Sequence, residues 1–222
     1  MNAEPEVPKK ASRLRKPLIV GGLVFLTLAI AGVATAAYMG VLGENFREVR
    51  AQQCYRSGQM TPDSLQNHIR DLKLGCVVNL RGFCNEQWYT EEIKICEANH
   101  VTHVDFKIDP VRLPRPEVVH EMIDRFKSGP APLLLHCRNG VDRTGLAATL
   151  YEIVVDHKDV RDAVAVQLSW QKGHIRSSKN DAAERFFELY EKTGDGKPIE
   201  SWVDNGYPEI YKSIGPYGSA KP

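Results

Sequence analysis

Hydrophobic and polar positions divide the chain into two regimes. From 18 to 39 the chain is apolar without a break: 22 residues, LIVGGLVFLTLAIAGVATAAYM, carry no charge. From about residue 46 onward, short apolar runs alternate with amphipathic stretches. Thr61 is a good N-cap and Pro62 suits a first helical position, so 62–73 is expected to be a helix. Residues 76–80, Cys-Val-Val-Asn-Leu, read as a short buried strand, and 86–99 as a helix. Strand 101–108 should place Val104, Phe106 and Ile108 on one face. Helix 116–127 is closed by Ser128-Gly129-Pro130. Residues 132–136, Pro-Leu-Leu-Leu-His, are apolar on both faces, as a central strand requires. A helix is expected over 143–157, with two more near 159–171 and 180–192. Such alternation predicts an α/β domain with a central, mostly parallel sheet flanked by helices.

As a helix, the 18–39 run would be about 33 Å long, enough for a hydrocarbon core of roughly 30 Å. It is expected to be a transmembrane anchor. A cleaved signal peptide is the alternative, because basic residues precede the run and Ala34-Thr35-Ala36 offers a cleavage site. Lys9, Lys10, Arg13, Arg15 and Lys16 lie before it, and Arg47 and Arg50 shortly after. This asymmetry puts the N-terminus in the cytoplasm and the following domain outside, which in a bacterium is the periplasmic side of the inner membrane. The expected organisation is a basic tail at 1–17, the anchor or signal at 18–39, a linker at 40–45, a catalytic domain at 46–211 and a flexible tail at 212–222.

Composition changes this picture little. With 222 residues and a net charge of +1, the chain suits one domain plus an appendage, and nothing calls for a nucleic-acid partner. Its five cysteines, Cys54, Cys76, Cys84, Cys96 and Cys137, form no CxxC pair and match no zinc spacing. Their odd number leaves a free thiol, which is expected to be Cys137.

The chemistry gathers where the central strand meets the next helix. Residues 136–145 read His-Cys-Arg-Asn-Gly-Val-Asp-Arg-Thr-Gly. Helix N-termini attract anions, because their first amides are unpaired. The five residues Arg138, Asn139, Gly140, Val141 and Asp142 can curl so that successive amides point inward around a tetrahedral dianion. Gly140 supplies the backbone freedom for that curl, and Gly145 lets the helix start pack closely. A thiol at such a place ionises readily, making Cys137 a nucleophile. The planar fork of Arg143 can hold two phosphate oxygens, which lysine could not do. Thr144 can donate to the Cys137 sulfur. No metal or cofactor is needed.

This segment resembles the signature of the protein tyrosine phosphatase superfamily, and is most similar to its bacterial dual-specificity-like branch. Tyr55-Arg56-Ser57-Gly58-Gln59, Val77-Val78-Asn79-Leu80-Arg81 and Leu113-Pro114 resemble further landmarks, so the likeness covers about 46–175. It implies a phosphomonoesterase working through a phospho-cysteine, with a phosphorylated protein or phospholipid as substrate. It also implies a carboxylic acid that protonates the leaving group. Asp109, at a strand end before Pro110, is preferred; Asp105 and Asp142 are the alternatives. Arg138, Arg112 and Arg81 are candidate rim residues. In the family the histidine before the nucleophile supports the loop, which gives His136 that part; His174 reads as surface, and Trp170 and Trp202 as packing. Two other readings use the same thiol or loop: rhodanese-like sulfur transfer, and a phosphate-binding pseudoenzyme acting as a membrane adaptor.

Overall fold

A computed structural model describes residues 15–38, 44–176 and 181–217. The chain separates into two compact units, 1–38 and 39–222. In the first, α1 (Arg15–Tyr38) is a 24-residue helix over the expected span. Its described side chains, at 19–35, are all exposed. Among the described residues no helix is long and apolar enough to cross a membrane; the stretch 19–35 alone would be about 26 Å long. The structure therefore shows a helix, Arg15–Tyr38, over the expected span. The tail expected at 1–17 (up to residue 14) and the linker expected at 40–45 (up to residue 43) lie outside the described residues.

The second unit holds a five-stranded sheet in the order β1-β2-β5-β3-β4. Its strands are β1 (Arg47–Arg50), β2 (Cys54–Ser57), β3 (Cys76–Asn79), β4 (Thr102–Asp105) and β5 (Leu133–His136). Only the β1–β2 pair is antiparallel. Around the sheet lie α2 (Pro62–Leu72), α3 (Gln87–Ala98), α4 (Pro116–Ser128), α5 (Asp142–Val155), α6 (Val160–Gln167), α7 (Ala182–Thr193), α8 (Ile199–Asn205) and α9 (Tyr207–Ile214). The Thr61 hydroxyl accepts from the Ser64 amide, capping α2 as its sequence implies.

Alternation along β5 and β3 builds two cores, one on each face of the sheet. Val77 and Leu134 face α2 and α3, where Leu65, Ile69 and Cys96 complete one cluster. Val78, Leu133 and Leu135 face the larger cluster, with Met122, Leu150, Phe186 and Trp202. Each such buried side chain contributes about 1.5–3 kcal/mol of burial free energy. α5 is buried on nearly all sides, which explains why its sequence is apolar rather than amphipathic.

Several sequence expectations shift. The strand expected at 101–108 is regular over Thr102–Asp105 alone. Phe106 and Ile108 are still buried, but from the loop that follows. The β1–β2 hairpin is absent from the sequence-based elements because its residues are largely polar. Ordered structure also runs past residue 211: α9 reaches Ile214, and the Leu113 amide donates to the Pro216 carbonyl at 2.7 Å. Residues 218–222 of the expected tail lie outside the described residues.

Candidate active site

Because β2, β5, β3 and β4 run parallel, their carboxyl ends open on the same side, where α/β sheets bind ligands. The 137–143 loop leaves the end of β5 at that edge. Residues following β2, β3 and β4 surround it.

The loop is shaped from outside. In a trans peptide the carbonyl and the next amide point in opposite directions. Holding a carbonyl outward therefore aims the following amide inward. The Arg138 carbonyl accepts from the Gln59 amide at 3.1 Å. The Asn139 carbonyl accepts from Asn45 Nδ2 at 3.3 Å. The Gly140 carbonyl accepts from both Asn45 Nδ2 at 2.9 Å and Arg56 Nη2 at 2.8 Å. The Val141 carbonyl receives Arg56 Nη2 at 3.4 Å and the Gly145 amide at 2.6 Å. The amides of Asn139 to Asp142 are thereby turned toward the centre. Gly140, at φ 66°, makes the turn possible; a Cβ there would lie 2.5 Å from the Gly58 nitrogen.

Cys137 sits at the base of this cup, only 3 % exposed. Burial alone would raise its pKa. The Thr144 hydroxyl, the Arg143 guanidinium and the amides of Val141 and Asn139 outweigh that effect, leaving the thiol below its ordinary value. Cys54, Cys76 and Cys96 are also free and buried, and there burial prevails and raises all three. Burial pushes Cys76 up to about 11 and Cys96 up to about 12.

Beneath the loop lies Arg56, which is fully buried. Besides the loop carbonyls it binds the Gln167 carbonyl and side-chain oxygen, each at 2.8 Å. Gln167 in turn donates to Glu152, which also receives Lys158. Burial lowers the Arg56 pKa to about 10, so it stays charged at neutral pH. A second buried network supports His136. Its Nε2 lies 3.1 Å from Glu92 Oε1, which His103 Nε2 also meets at 2.9 Å. Gln59 Nε2 donates to the other carboxylate oxygen at 2.9 Å.

The pocket beside the loop, of about 550 Å³, takes in Arg143 and Asp109 together. Arg81, Lys107, Arg112 and Arg115 also line it. Asp109 is exposed; it accepts from the Val111 amide at 2.9 Å, a local turn bond, and lies 3.5 Å from Arg112. Asp105 is engaged elsewhere: Asn79 donates to one oxygen at 2.7 Å and the Tyr89 hydroxyl to the other. Asp142 does not line that pocket and pairs instead with His174 Nδ1 at 2.7 Å.

The structure thus brings Cys137, Arg143, Thr144 and the loop amides together, with Asp109 on the pocket wall. Arg138 and Asn139 have exposed side chains, and Arg138 is not part of the pocket lining. His174, expected at the surface, is buried between Asp142 and Glu184. Trp170, expected to pack, is 60 % exposed, whereas Trp202 is buried as expected. Sequence reasoning missed Asn45, Glu92 and the support given by Arg56. Only Arg56 carried a signal, as a charge inside the quoted Tyr55–Gln59 landmark.

Fold and loop together define a Cys-x5-Arg phosphatase. A family model described as "DSP-PTPase phosphatase fused to NAD+ Kinase" matches residues 30–185. The chain belongs to this family, and through it to the dual-specificity phosphatases of the tyrosine phosphatase superfamily. Inositol diphosphatase DSP3 of Arabidopsis thaliana is 29 % identical over 96 residues, covering 41 % of this chain and 45 % of that protein. The chain therefore matches less than half the length of that relative. Among solved structures, P. aeruginosa TpbA with phosphotyrosine bound is similar at a TM-score of 0.54 and 20 % identity, covering 73 % of this chain and 92 % of TpbA. The catalytic core of the S. cerevisiae PP-IP phosphatase SIW14 is similar at a TM-score of 0.53 and 18 % identity, covering 74 % and 94 %. Both share the fold.

Proposed function

We propose that this phosphatase is a cysteine-dependent phosphomonoesterase of the tyrosine or dual-specificity type, working through a phospho-cysteine. One observation carries the reading: a buried thiol of lowered pKa sits inside a ring of inward amides, in reach of an arginine fork. In the first step the Cys137 thiolate attacks phosphorus, and the bond from phosphorus to the leaving oxygen breaks. Asp109 gives that oxygen its proton. In the second, water attacks the phospho-cysteine, Asp109 takes a proton from it, and Cys137 departs as thiolate. Arg143 and the amides of residues 139–142 hold the phosphate oxygens throughout, and hold them best as charge redistributes.

Asp109 is favoured as the acid because it shares the pocket with Arg143. Asp105 has both oxygens engaged and Asp142 is tied to His174. The assay is p-nitrophenyl phosphate hydrolysis by the full chain, with vanadate as inhibitor. Cys137→Ser should abolish turnover, and Asp109→Asn should lower kcat about 10²-fold or more. Phosphate binding without turnover by the native chain would instead support a binding protein.

A phosphorylated protein is the leading substrate class, and TpbA provides the parallel of a bound phosphotyrosine. A phosphoinositide or related polyphosphate is the second reading. It is favoured by the pocket wall, where Arg81, Lys107, Arg112, Arg115 and Arg143 face a single acid, Asp109. Comparing phosphotyrosine peptides with phosphoinositides at matched concentration separates the two.

The charge-free run at 18–39, helical through Arg15–Tyr38, supports a membrane anchor. The basic residues before it support a cytoplasmic N-terminus with the catalytic domain outside. Alkaline phosphatase fused after Tyr211 should then be active in a bacterial host; an inactive fusion would reverse the orientation.

A further inference from the structure

Asn45 stands seven positions beyond the end of α1, where the sequence suggests only a linker. It is nevertheless 5 % exposed and held at φ 49°. Its Nδ2 lies within hydrogen-bond distance of three carbonyls: Gly140 at 2.9 Å, Lys172 at 3.1 Å and Asn139 at 3.3 Å. Two protons serve three acceptors, so one contact is shared. Its Oδ1 accepts from Arg47 Nε at 3.4 Å, which fixes the amide's orientation. The segment around it is anchored too. The Glu44 carbonyl accepts from the Gly58 amide at 2.6 Å, and the Glu44 carboxylate receives the Thr61 amide and the Ser64 hydroxyl.

The consequence lies in the peptide planes. Holding the Asn139 carbonyl outward aims the Gly140 amide inward. Holding the Gly140 carbonyl does the same for the Val141 amide, one of the donors to the Cys137 sulfur. Arg56 holds the Gly140 and Val141 carbonyls from below, so it does not replace Asn45 at Asn139. By bonding the Lys172 carbonyl, Asn45 also ties the loop to the turn after α6.

We propose that Asn45 is a positioning residue of the phosphate loop: it sets the direction of two amides that receive the substrate phosphate, from the segment just before β1. It touches no substrate. The proposal rests on the phosphatase reading above.

The test uses the full chain as native, Asn45→Gly and Asn45→Asp proteins. Glycine removes the amide while tolerating the positive φ. Aspartate keeps the shape but has no proton to donate and turns a charge toward carbonyls. We expect kcat/KM for p-nitrophenyl phosphate to fall about 10- to 10²-fold in both. Vanadate should bind about tenfold or more weakly, and the pH midpoint of Cys137 alkylation should move upward. A merely structural residue would lower Tm yet leave vanadate affinity and alkylation midpoint at native values well below Tm. Folded variants within about twofold of native in all three readouts would overturn the proposal. Should Asn45→Asp not fold, Asn45→Gly decides alone; should neither fold, Asn45→Ser, which keeps a hydroxyl donor, is scored by the same readouts. If the native chain itself neither turns over substrate nor binds vanadate, it is the phosphatase reading that fails.

Discussion

Adding one methyl group to the phosphate loop should separate loop geometry from packing. At Gly140 a Cβ would stand 2.5 Å from the Gly58 nitrogen and 2.6 Å from the Ser57 carbonyl carbon. Both belong to a backbone pinned by the Gly58–Glu44 bond and by the β2–β5 register. Ordinary contact begins at about 3.4 Å, so the loop must retreat by about 0.9 Å. Alanine at φ 66° adds about 1–2 kcal/mol of backbone strain. A displacement near 1 Å costs about 10² in rate, or about 2.7 kcal/mol in the transition state. Gly140→Ala should therefore lose about two orders of magnitude in kcat/KM. Gly145→Ala is the matched control. Its Cβ also finds an atom at 2.5 Å, but that atom is the mobile tip of Leu168, with the Gln167 carbonyl next at 3.2 Å. Overpacking costs about 1–3 kcal/mol, and alanine in a helix returns about 1 kcal/mol. Stability should thus change by no more than about 2 kcal/mol and kcat/KM by less than about fivefold. The measurements are p-nitrophenyl phosphate kinetics and urea unfolding of both variants. Gly140→Ala within about threefold of native activity, or Gly145→Ala as impaired as Gly140→Ala, would refute the reasoning.

Three further outcomes follow from the site's electrostatics. Burial alone would raise the Glu92 carboxyl, but His136, His103 and Gln59 outweigh it and hold the group well below its usual range. Its contribution is therefore present above about pH 4.3 and lost on acidification; Glu92→Gln should cost about 1–3 kcal/mol at pH 7, with the difference in urea midpoint shrinking toward pH 3. For His174 the sign is opposite. Burial lowers its pKa, yet Asp142 and Glu184 raise it overall, so its contribution is complete below about 6.5 and fades as pH rises through the folded value. The midpoint gap between native and His174→Gln protein should be widest near pH 5.5 and close toward pH 9, and a flat gap would count against it. Alkylation of the folded protein at pH 7, read by peptide mass spectrometry, should modify Cys137 while Cys76 and Cys96 remain thiols; equal rates would remove the basis for a selective thiolate.

The elements that sequence reasoning recovers are those with strong local signals. α2 announces itself through Thr61 and Pro62, and β5 through three consecutive leucines. The 136–145 loop is legible because a strand, a five-residue spacer and a helix start are contiguous in the chain. The hairpin β1–β2 is not legible, since its polar residues are stabilised by pairing with each other and with β5. β4 is shorter than its alternation implies: the paired register stops at Asn79–Asp105, although the Phe106 and Ile108 amides still donate to the Asn79 and Leu80 carbonyls.

By itself the sequence determined the Cys137–Arg143 loop between strand and helix and the α/β class, since each depends on residues adjacent in the chain or on local periodicity. Tertiary structure alone decided what shapes the loop. Asn45, Gln59 and Arg56 lie some eighty to ninety-five residues before the carbonyls they hold. His174 reaches Asp142 across 32 residues, and Glu92 reaches His136 across 44. A hydrogen-bond partner brought in by strand order leaves no periodic trace, because its position depends on how the sheet is threaded. Only when β2 is laid beside β5 does the chain close around Cys137.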